Sequence, residues 1–342
     1  MNSIKVYTIS IFSLFVFCAN VFATEAEQQF SYDPKEITES LSNINISNNK
    51  KERIKELELL AEEFTDKKLY NKAIDIYSEI FKKKHSKKNL FKYYVKVGDL
   101  YSLKKNYVLS LDYYERALSI NKKSSDVMIR IGRIFLDGNL FELAEEKFLG
   151  ALKIDKHSVG SKKGIGDVYY KRGIYTKAIN YYNKIPKDLY DREIVRNISR
   201  SFINLNKSDE AAAILEYYLK EHDDSELMFN LAVIYIDKCD YLIAQDWLLK
   251  TLKINDGAFK VYVYLAYIYD LESKYKESLK MLNKAYALNS SYGAIDFMRA
   301  KAAYKVGMIK EAKTYANEAY NKARTIFVKD QAQKLLEYLN KK

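Results

Sequence analysis

The sequence predicts an all-α fold, a solenoid of about eight helix-turn-helix units closed by a C-terminal helix. Three observations carry that expectation. A five-residue pattern of apolar, small, any, any, aromatic returns at intervals of 34 residues: "VGDLY" (Val97–Tyr101), "IGRIF" (Ile131–Phe135) and "IGDVY" (Ile165–Tyr169), then "LAVIY" (Leu231–Tyr235) and "LAYIY" (Leu265–Tyr269). About twelve residues after each small residue stands a second one, with a bulky apolar side chain usually four further on, as in Ser110 and Tyr114 or Ala144 and Phe148. Finally, two prolines and eleven glycines in 342 residues leave little punctuation for tight turns and hairpins. The share of hydrophobic (48%) and charged (30%) residues describes an ordered chain, not a disordered one.

Taken from the N-terminus, residues 1–23 stand apart. Lys5 is their only charge, and the apolar run "VYTISIFSLFVF" (Val6–Phe17) follows it. Val21 and Ala23 put small residues where a signal peptidase reads, before Thr24. The expectation is a signal peptide cleaved there and an exported, periplasmic mature chain; a membrane anchor over residues 4–23 is the alternative. Phe17 does not suit a lipoprotein signal at Cys18, which wants a small residue in that place. After cleavage Cys239 is the only cysteine, so no intramolecular disulfide is expected. Residues 24–50 hold five acids and two bases with few apolar anchors, and read as a polar flexible arm. The net charge of +12 therefore concentrates in residues 51–342, an excess that steers a chain towards anionic partners.

Residues 51–323 hold the repeats. "LAEEF" (Leu60–Phe64) and "ISRSF" (Ile198–Phe202) are weaker copies, and a diverged one surrounds Ala300. Apolar spacing of three and four puts one stripe on each helix of a pair. Small residues such as Gly132, Gly166, Ala178 and Ala244 fall where two backbones must approach closely. One pair cannot bury its whole apolar face, so neighbours stack into a continuous core. Tyr70, Tyr107, Phe141, Tyr175, Tyr241 and Tyr275 hold equivalent places in the turns between paired helices. This pattern resembles the tetratricopeptide repeat (TPR) family, whose 34-residue unit joins a W-x2-L-G-x2-Y first helix to an A-x3-F second helix. Tryptophan is missing from the first-helix slot, and the terminal proline from every copy. The resemblance implies a right-handed superhelical solenoid.

The stretch "YYKRGIYTKAINYYNK" (Tyr169–Lys184) mixes aromatic and basic residues as a nucleic-acid-binding patch would. The repeat register instead assigns Tyr169, Tyr175 and Tyr182 to the core and leaves only Tyr170 and Tyr181 free, so no nucleic-acid partner is expected. Residues 324–342, with Ala332, Leu335, Leu336 and Leu339 on one face, read as a C-terminal capping helix.

Little chemistry is legible. His85, His157 and His222 lie in loops between repeats without metal-ligand spacing, and read as solvated. Cys239, in a turn, has no neighbouring histidine or basic cluster to activate it. The sequence contains no phosphate-cradling glycine loop, nucleophile elbow or zinc-binding helix motif. No catalytic activity, cofactor or metal is expected. The densest basic run, "KKKHSKK", contains Lys82, Lys83, Lys84, Lys87 and Lys88. It reads as a helix C-terminus whose lysines offset the dipole, with an anionic docking point as the alternative.

The resemblance further implies that the first helices of successive units line a concave groove where protein partners bind. Carried over position by position, that groove presents Arg133, Lys163, Lys171, Arg196 and Arg200, with Asp137 and Asp167 between them. Further along it presents Phe229, Val233, Ile236, Val263, Tyr267, Phe297 and Tyr304. A surface cationic first and apolar later matches an extended or helical protein segment with apolar anchors and charged flanks. Coverage of the apolar part by the chain's own C-terminal helix is the competing expectation. The expected function is a non-enzymatic scaffold or adaptor in a bacterial cell envelope. An anionic polymer or membrane surface, met through the basic repeat region, is the alternative partner.

Overall fold

A computed structural model describes residues 50–341. The expected signal peptide, and the expected arm up to residue 49, lie outside the described residues. Among the described residues are seventeen α-helices, one 3-10 turn (Lys187–Leu189) and no strand. The helices are α1 (Lys50–Asp66), α2 (Tyr70–Phe81), α3 (Lys87–Leu103), α4 (Tyr107–Ile120), α5 (Ser125–Asp137), α6 (Phe141–Ile154), α7 (Val159–Lys171) and α8 (Tyr175–Tyr182). They continue as α9 (Arg192–Asn204), α10 (Ser208–Leu219), α11 (Ser225–Asp237), α12 (Tyr241–Ile254), α13 (Phe259–Leu271), α14 (Tyr275–Leu288), α15 (Gly293–Val306), α16 (Ile309–Lys322) and α17 (Ile326–Asn340). Helices α1 to α16 pack as consecutive pairs, and α17 lies against α16 and α15. No helix among the described residues is long and apolar enough to cross a membrane.

The chain divides into two compact units, one ending at Leu189 and the other beginning at Tyr190. The cause is local. Other second helices run 12 to 14 residues, whereas α8 stops after eight. Pro186 lies just beyond; it has no amide hydrogen to donate and drives the residue before it out of helical geometry. The core of the first unit includes a cluster in which Ala73, Ile76, Tyr77 and Ile80 of α2 meet Tyr93, Val97 and Leu100 of α3. In the second unit Tyr262 and Ala266 of α13, Leu282 of α14, Ala302 of α15 and Leu339 of α17 belong to one cluster. Each fully buried side chain of this size contributes about 1.5–3 kcal/mol.

One turn device recurs eight times. The connection inside every pair places one residue in the left-handed region: Lys68, Lys105, Asn139, Gly173, Asn206, Cys239, Ser273 and Gly307. Around each, two amides fold back onto the last turn of the first helix. In the second pair Asn106 N–H donates to the Tyr101 carbonyl (2.9 Å) and Lys105 N–H to that of Ser102 (2.8 Å), the Schellman arrangement. The aromatic residues expected in these turns instead open the second helices. Tyr70, Tyr107, Phe141, Tyr175, Tyr241 and Tyr275 are each a first helical residue and half-buried. Five first helices start from side-chain caps, Ser86, Ser124, Ser158, Asp191 and Asp224, each accepting from the amide three residues on, as do Asn106 before α4 and Thr325 before α17.

Within "YYKRGIYTKAINYYNK", Tyr169 and Tyr182 are buried and Tyr175 is half-buried. The two tyrosines expected to be free are engaged. Tyr181 stacks on Tyr169 with centroids 5.7 Å apart, Lys184 lies over its ring, and Tyr170 meets Tyr175 edge-on. Of the histidines, His85 departs from the solvated reading. His85 Nε2–H donates to the Ile80 carbonyl (2.6 Å) and its ring packs on Tyr93, while His222 stacks on Tyr218 at 4.1 Å. His157 and His222 are both exposed, and only His85 is half-buried.

Candidate protein-binding face

Within each unit first helices of neighbouring pairs make side-chain contacts, as Glu58 with Lys92 and Arg192 with Asp224, and the expected binding residues fall on these helices. In the first unit these contacts are a set of acid–base rungs. Glu58 of α1 accepts from Lys92 and Tyr93 of α3, both at 2.6 Å, and Glu62 lies 3.3 Å from Lys96. Arg130 of α5 bonds Asp99 of α3 and, at 3.1 Å, Asp126. Asp99 also accepts from the buried Tyr114 (2.6 Å), and Asp167 in the same way from Tyr182 (2.5 Å). These carboxylates therefore hold second-helix tyrosines in place, and burial together with the neighbouring Asp99 charge pushes the Tyr114 phenol well above its usual range. A pocket of about 360 Å³, lined by Glu62, Asp66, Tyr77, Lys96 and Asp99 among others, opens on this face.

The expected cations are less bare than the sequence suggested. Arg133 and Lys171 are exposed and Lys163 half-buried, and Lys171 Nζ donates to the Leu136 carbonyl at 3.1 Å. In the second unit, Arg196 faces Glu193 (3.7 Å) and Arg200 faces Glu226 (3.5 Å). Arg192, which the pattern had not picked out, bonds both Asp224 and Glu226. Burial works to raise the Asp224 carboxyl, but hydrogen bonds from Arg192 and the Leu227 amide hold it below its usual range. The signal that could have found this pair is Asp224 itself, an N-cap residue whose second oxygen is left for a neighbour.

The apolar residues lie on α11, α13 and α15 of the second unit. Phe229, Val233 and Ile236 share one side of α11, but Ile236 is buried and so withdrawn from the surface. Phe229 meets Tyr264 of α13 edge-on at 5.3 Å. Val263 is half-buried against the core of the unit, and Tyr267, one turn on, is 41% exposed. Phe297 of α15 is half-buried. Tyr304 is half-buried, and its hydroxyl lies 2.8 Å from that of Tyr338 on α17, the rings meeting edge-on at 5.6 Å. The C-terminal helix thus touches the expected face at Tyr304.

The basic run needs a different account. Lys82 follows α2 and pairs with Glu79, as a helix end should, but Lys87 and Lys88 open α3 at its N-terminus, where positive charge opposes the dipole. Lys83 and Lys84 are exposed between them, and His85 ties the loop down.

A buried charged cluster lies in the last pair. Asp296 is fully buried and faces Arg299 (3.0 Å) and Lys322 (3.2 Å). The Arg299 guanidinium is held between the rings of Tyr286 (4.1 Å) and Tyr315 (3.8 Å) and donates to Asn283. Burial pushes the Asp296 carboxyl up against the pull of Lys322 and Arg299. Such a perturbed group suggests catalysis only where substrate can reach it. Asp296 is sealed and matched by opposite charge, which suits a structural network. Among the described residues no group of three or more His, Cys, Asp or Glu side chains could hold a metal ion.

Comparison with known proteins follows the same lines. A family model described as tetratricopeptide repeat matches residues 91–124. The chain is 21% identical over 222 residues to the TPR repeat-containing protein YpiA of Bacillus subtilis (strain 168), a match covering 62% of this chain and 52% of that protein. It therefore spans about half the length of that curated relative. Among solved structures it is similar to a tetratricopeptide repeat protein from Parabacteroides merdae ATCC 43184, with a TM-score of 0.49 and 14% identity, covering 74% of this chain and 99% of that one. It is also similar to MamA, with a TM-score of 0.44 and 19% identity, covering 46% of this chain and 94% of the other.

Proposed function

We propose that this chain, which carries tetratricopeptide repeats, is a non-enzymatic scaffold that holds an extended or helical protein segment on the first-helix face of its repeats. The observation that carries the reading is the run of Phe229, Val233, Val263, Tyr267 and Phe297 on α11, α13 and α15, half-buried or exposed, with Tyr267 at 41%. Apolar side chains grouped on one helix face and open to solvent are what anchors of a bound segment require. Exposed Arg200, at the α9–α11 contact, would meet the charged flank of the same segment. Its carboxylate neighbours make the alternative, an anionic polymer or membrane surface gripped by this face, the weaker reading.

The setting we propose is a bacterial cell envelope complex, such as a flagellar motor periphery or outer-membrane or wall-synthesis machinery. Support for export comes from residues 1–23 of the sequence, with Lys5, the apolar run, and small residues at Val21 and Ala23. A photo-crosslinking residue placed in turn at Tyr267, Phe297 and Arg200 in the native cell tests the proposal. Discrete protein adducts from these positions, absent at Leu242 on the second helix α12, are expected. Intramolecular products alone would show the face to be filled by the chain itself, and the proposal would fall.

A further inference from the structure

Second helices provide internal controls for one another, because equivalent positions can be compared along the array. On α14 three positions one turn apart hold Lys276, Lys280 and Lys284. At the same places α4 has Val108, Asp112 and Arg116, and α12 has Leu242, Asp246 and Lys250. There the charges close into pairs, Asp112 with Arg116 at 2.8 Å and Asp246 with Lys250 at 2.7 Å. Among the eight paired second helices described, α14 alone carries three cations in this row. None of the three is paired with a carboxylate among the described residues; Lys284 lies 5.4 Å from the Tyr262 ring. Like charges four apart on a helix repel, so the stripe is a local cost to the fold.

The lysines rim a trough of about 640 Å³. Its lining includes Leu279 and Ala287 of α14, with Val306 and Met308 contributed by the end of α15 and the turn after it. Leu279 is buried, Val306 half-buried, and Ala287 and Met308 exposed, so the apolar lining is small and partly open to solvent. Successive lysines stand ~6 Å apart along the axis, giving a stripe ~12 Å long. A bilayer calls for apolar side chains that protrude. A row of three cations without carboxylate partners, beside a lining in which Met308 is the one exposed large apolar side chain, instead fits a narrow rod that brings its own carboxylates and one or two apolar anchors.

We propose that this trough docks an acidic amphipathic helix of a partner protein, with carboxylates one turn apart facing Lys276, Lys280 and Lys284 and apolar residues on the Leu279–Met308 floor. The site lies on a second helix, apart from the first-helix face, so its failure and that of the scaffold proposal are separate results.

A displayed library of helix-forming peptides about fourteen residues long, four turns of helix, is panned against the full chain. Binding of the enriched peptides is then measured by fluorescence anisotropy on the full chain, on the triple variant Lys276→Gln, Lys280→Gln, Lys284→Gln, and on Tyr267→Ala. Circular dichroism establishes that the triple variant is folded, and a second variant, Met308→Glu, closes the floor without touching a lysine. The expected result is enrichment of peptides with Asp or Glu one turn apart, bound about tenfold or more weakly by the triple variant and by Met308→Glu. Their binding should weaken with added salt and be unchanged in Tyr267→Ala. The proposal is overturned if nothing is enriched, if enriched peptides lack that acidic spacing, or if they bind the lysine variant as well as the parent. It is equally overturned if vesicles of phosphatidylglycerol and phosphatidylcholine hold the chain through these lysines while peptides do not, which would make the trough a lipid site.

Discussion

Gly132 and Phe148 show what a single residue contributes to each repeat. A Cβ added at Gly132 would come within 2.8 Å of the Phe148 ring, and one at Gly166 within 2.5 Å of Tyr182. Both rings are fixed in the core, so the backbone must shift. We expect Gly132→Val to lower stability by about 1–3 kcal/mol, read as a fall in the urea midpoint at unchanged slope. Two repeats put serine where the others have alanine, and there the hydroxyl is satisfied across the pair: Ser110 Oγ–H donates to the Gly98 carbonyl (2.7 Å) and Ser278 to that of Ala266 (2.9 Å). The left-handed turn residues form a second such set. Gly307, at φ 93°, suits the conformation, whereas Cys239 holds it at φ 63° with a side chain. Gly307→Ala should cost about 1 kcal/mol, and Cys239→Gly should raise the melting temperature, in the opposite direction and by less. Equal effects at the two sites would contradict a shared turn geometry.

Among the helices, α17 is the informative one. Its Leu339 and Ala332 are fully buried, Leu339 in the core cluster of the second unit. The buried side of the helix meets α15 and α16, while Gln333, Lys334 and Glu337 are exposed. Leu339→Ala should cost about 2–5 kcal/mol and raise amide exchange in α15 to α17 before it reaches α11. The α6–α7 contact makes a different prediction. Tyr169 O–H donates to Glu145 at 2.5 Å, and this bond, with burial and the carboxylate charge, pushes the phenol up to about 12. The folded chain holds that proton more tightly than the unfolded chain does. The stabilisation is therefore complete below the unfolded value of about 10 and is lost as pH rises through the folded value of about 12. In Glu145→Gln the Tyr169 carbon-13 resonance should titrate nearer pH 10; a titration still near 12 would assign the shift to burial instead.

For the whole chain the important fact is the division at Leu189–Tyr190, next to the shortened α8 and Pro186. Each unit has its own buried cluster, Tyr93 and Tyr77 belonging to one, Leu282 and Leu339 to the other. Fragments covering residues 50–189 and 190–342 should each retain helical circular dichroism and melt cooperatively. Loss of helicity in both fragments would show that neither cluster sustains folding alone.

The repeating helix pairs were legible because close packing restricts size: small residues such as Ser110, Ala144 and Ala178, with the bulky Tyr114, Phe148 and Tyr182 four beyond them, recur at a period of 34. The sequence by itself determined this much, the helices and their pairing, since both follow from local spacing. It left three things open that only the tertiary structure decided. The left-handed turns at Lys68, Lys105 and Cys239 carry residue types that do not announce them; the Schellman bonds of the preceding helix impose the conformation. The carboxylate that answers Arg200 is Glu226 of the next pair, a partner that local spacing does not show. Finally, Ile236 and Tyr304 match the apolar face in register, yet one turns into the core and the other, half-buried, meets Tyr338. Exposure depends on what packs across from a residue, and for Tyr304 that neighbour is 34 positions away in the chain.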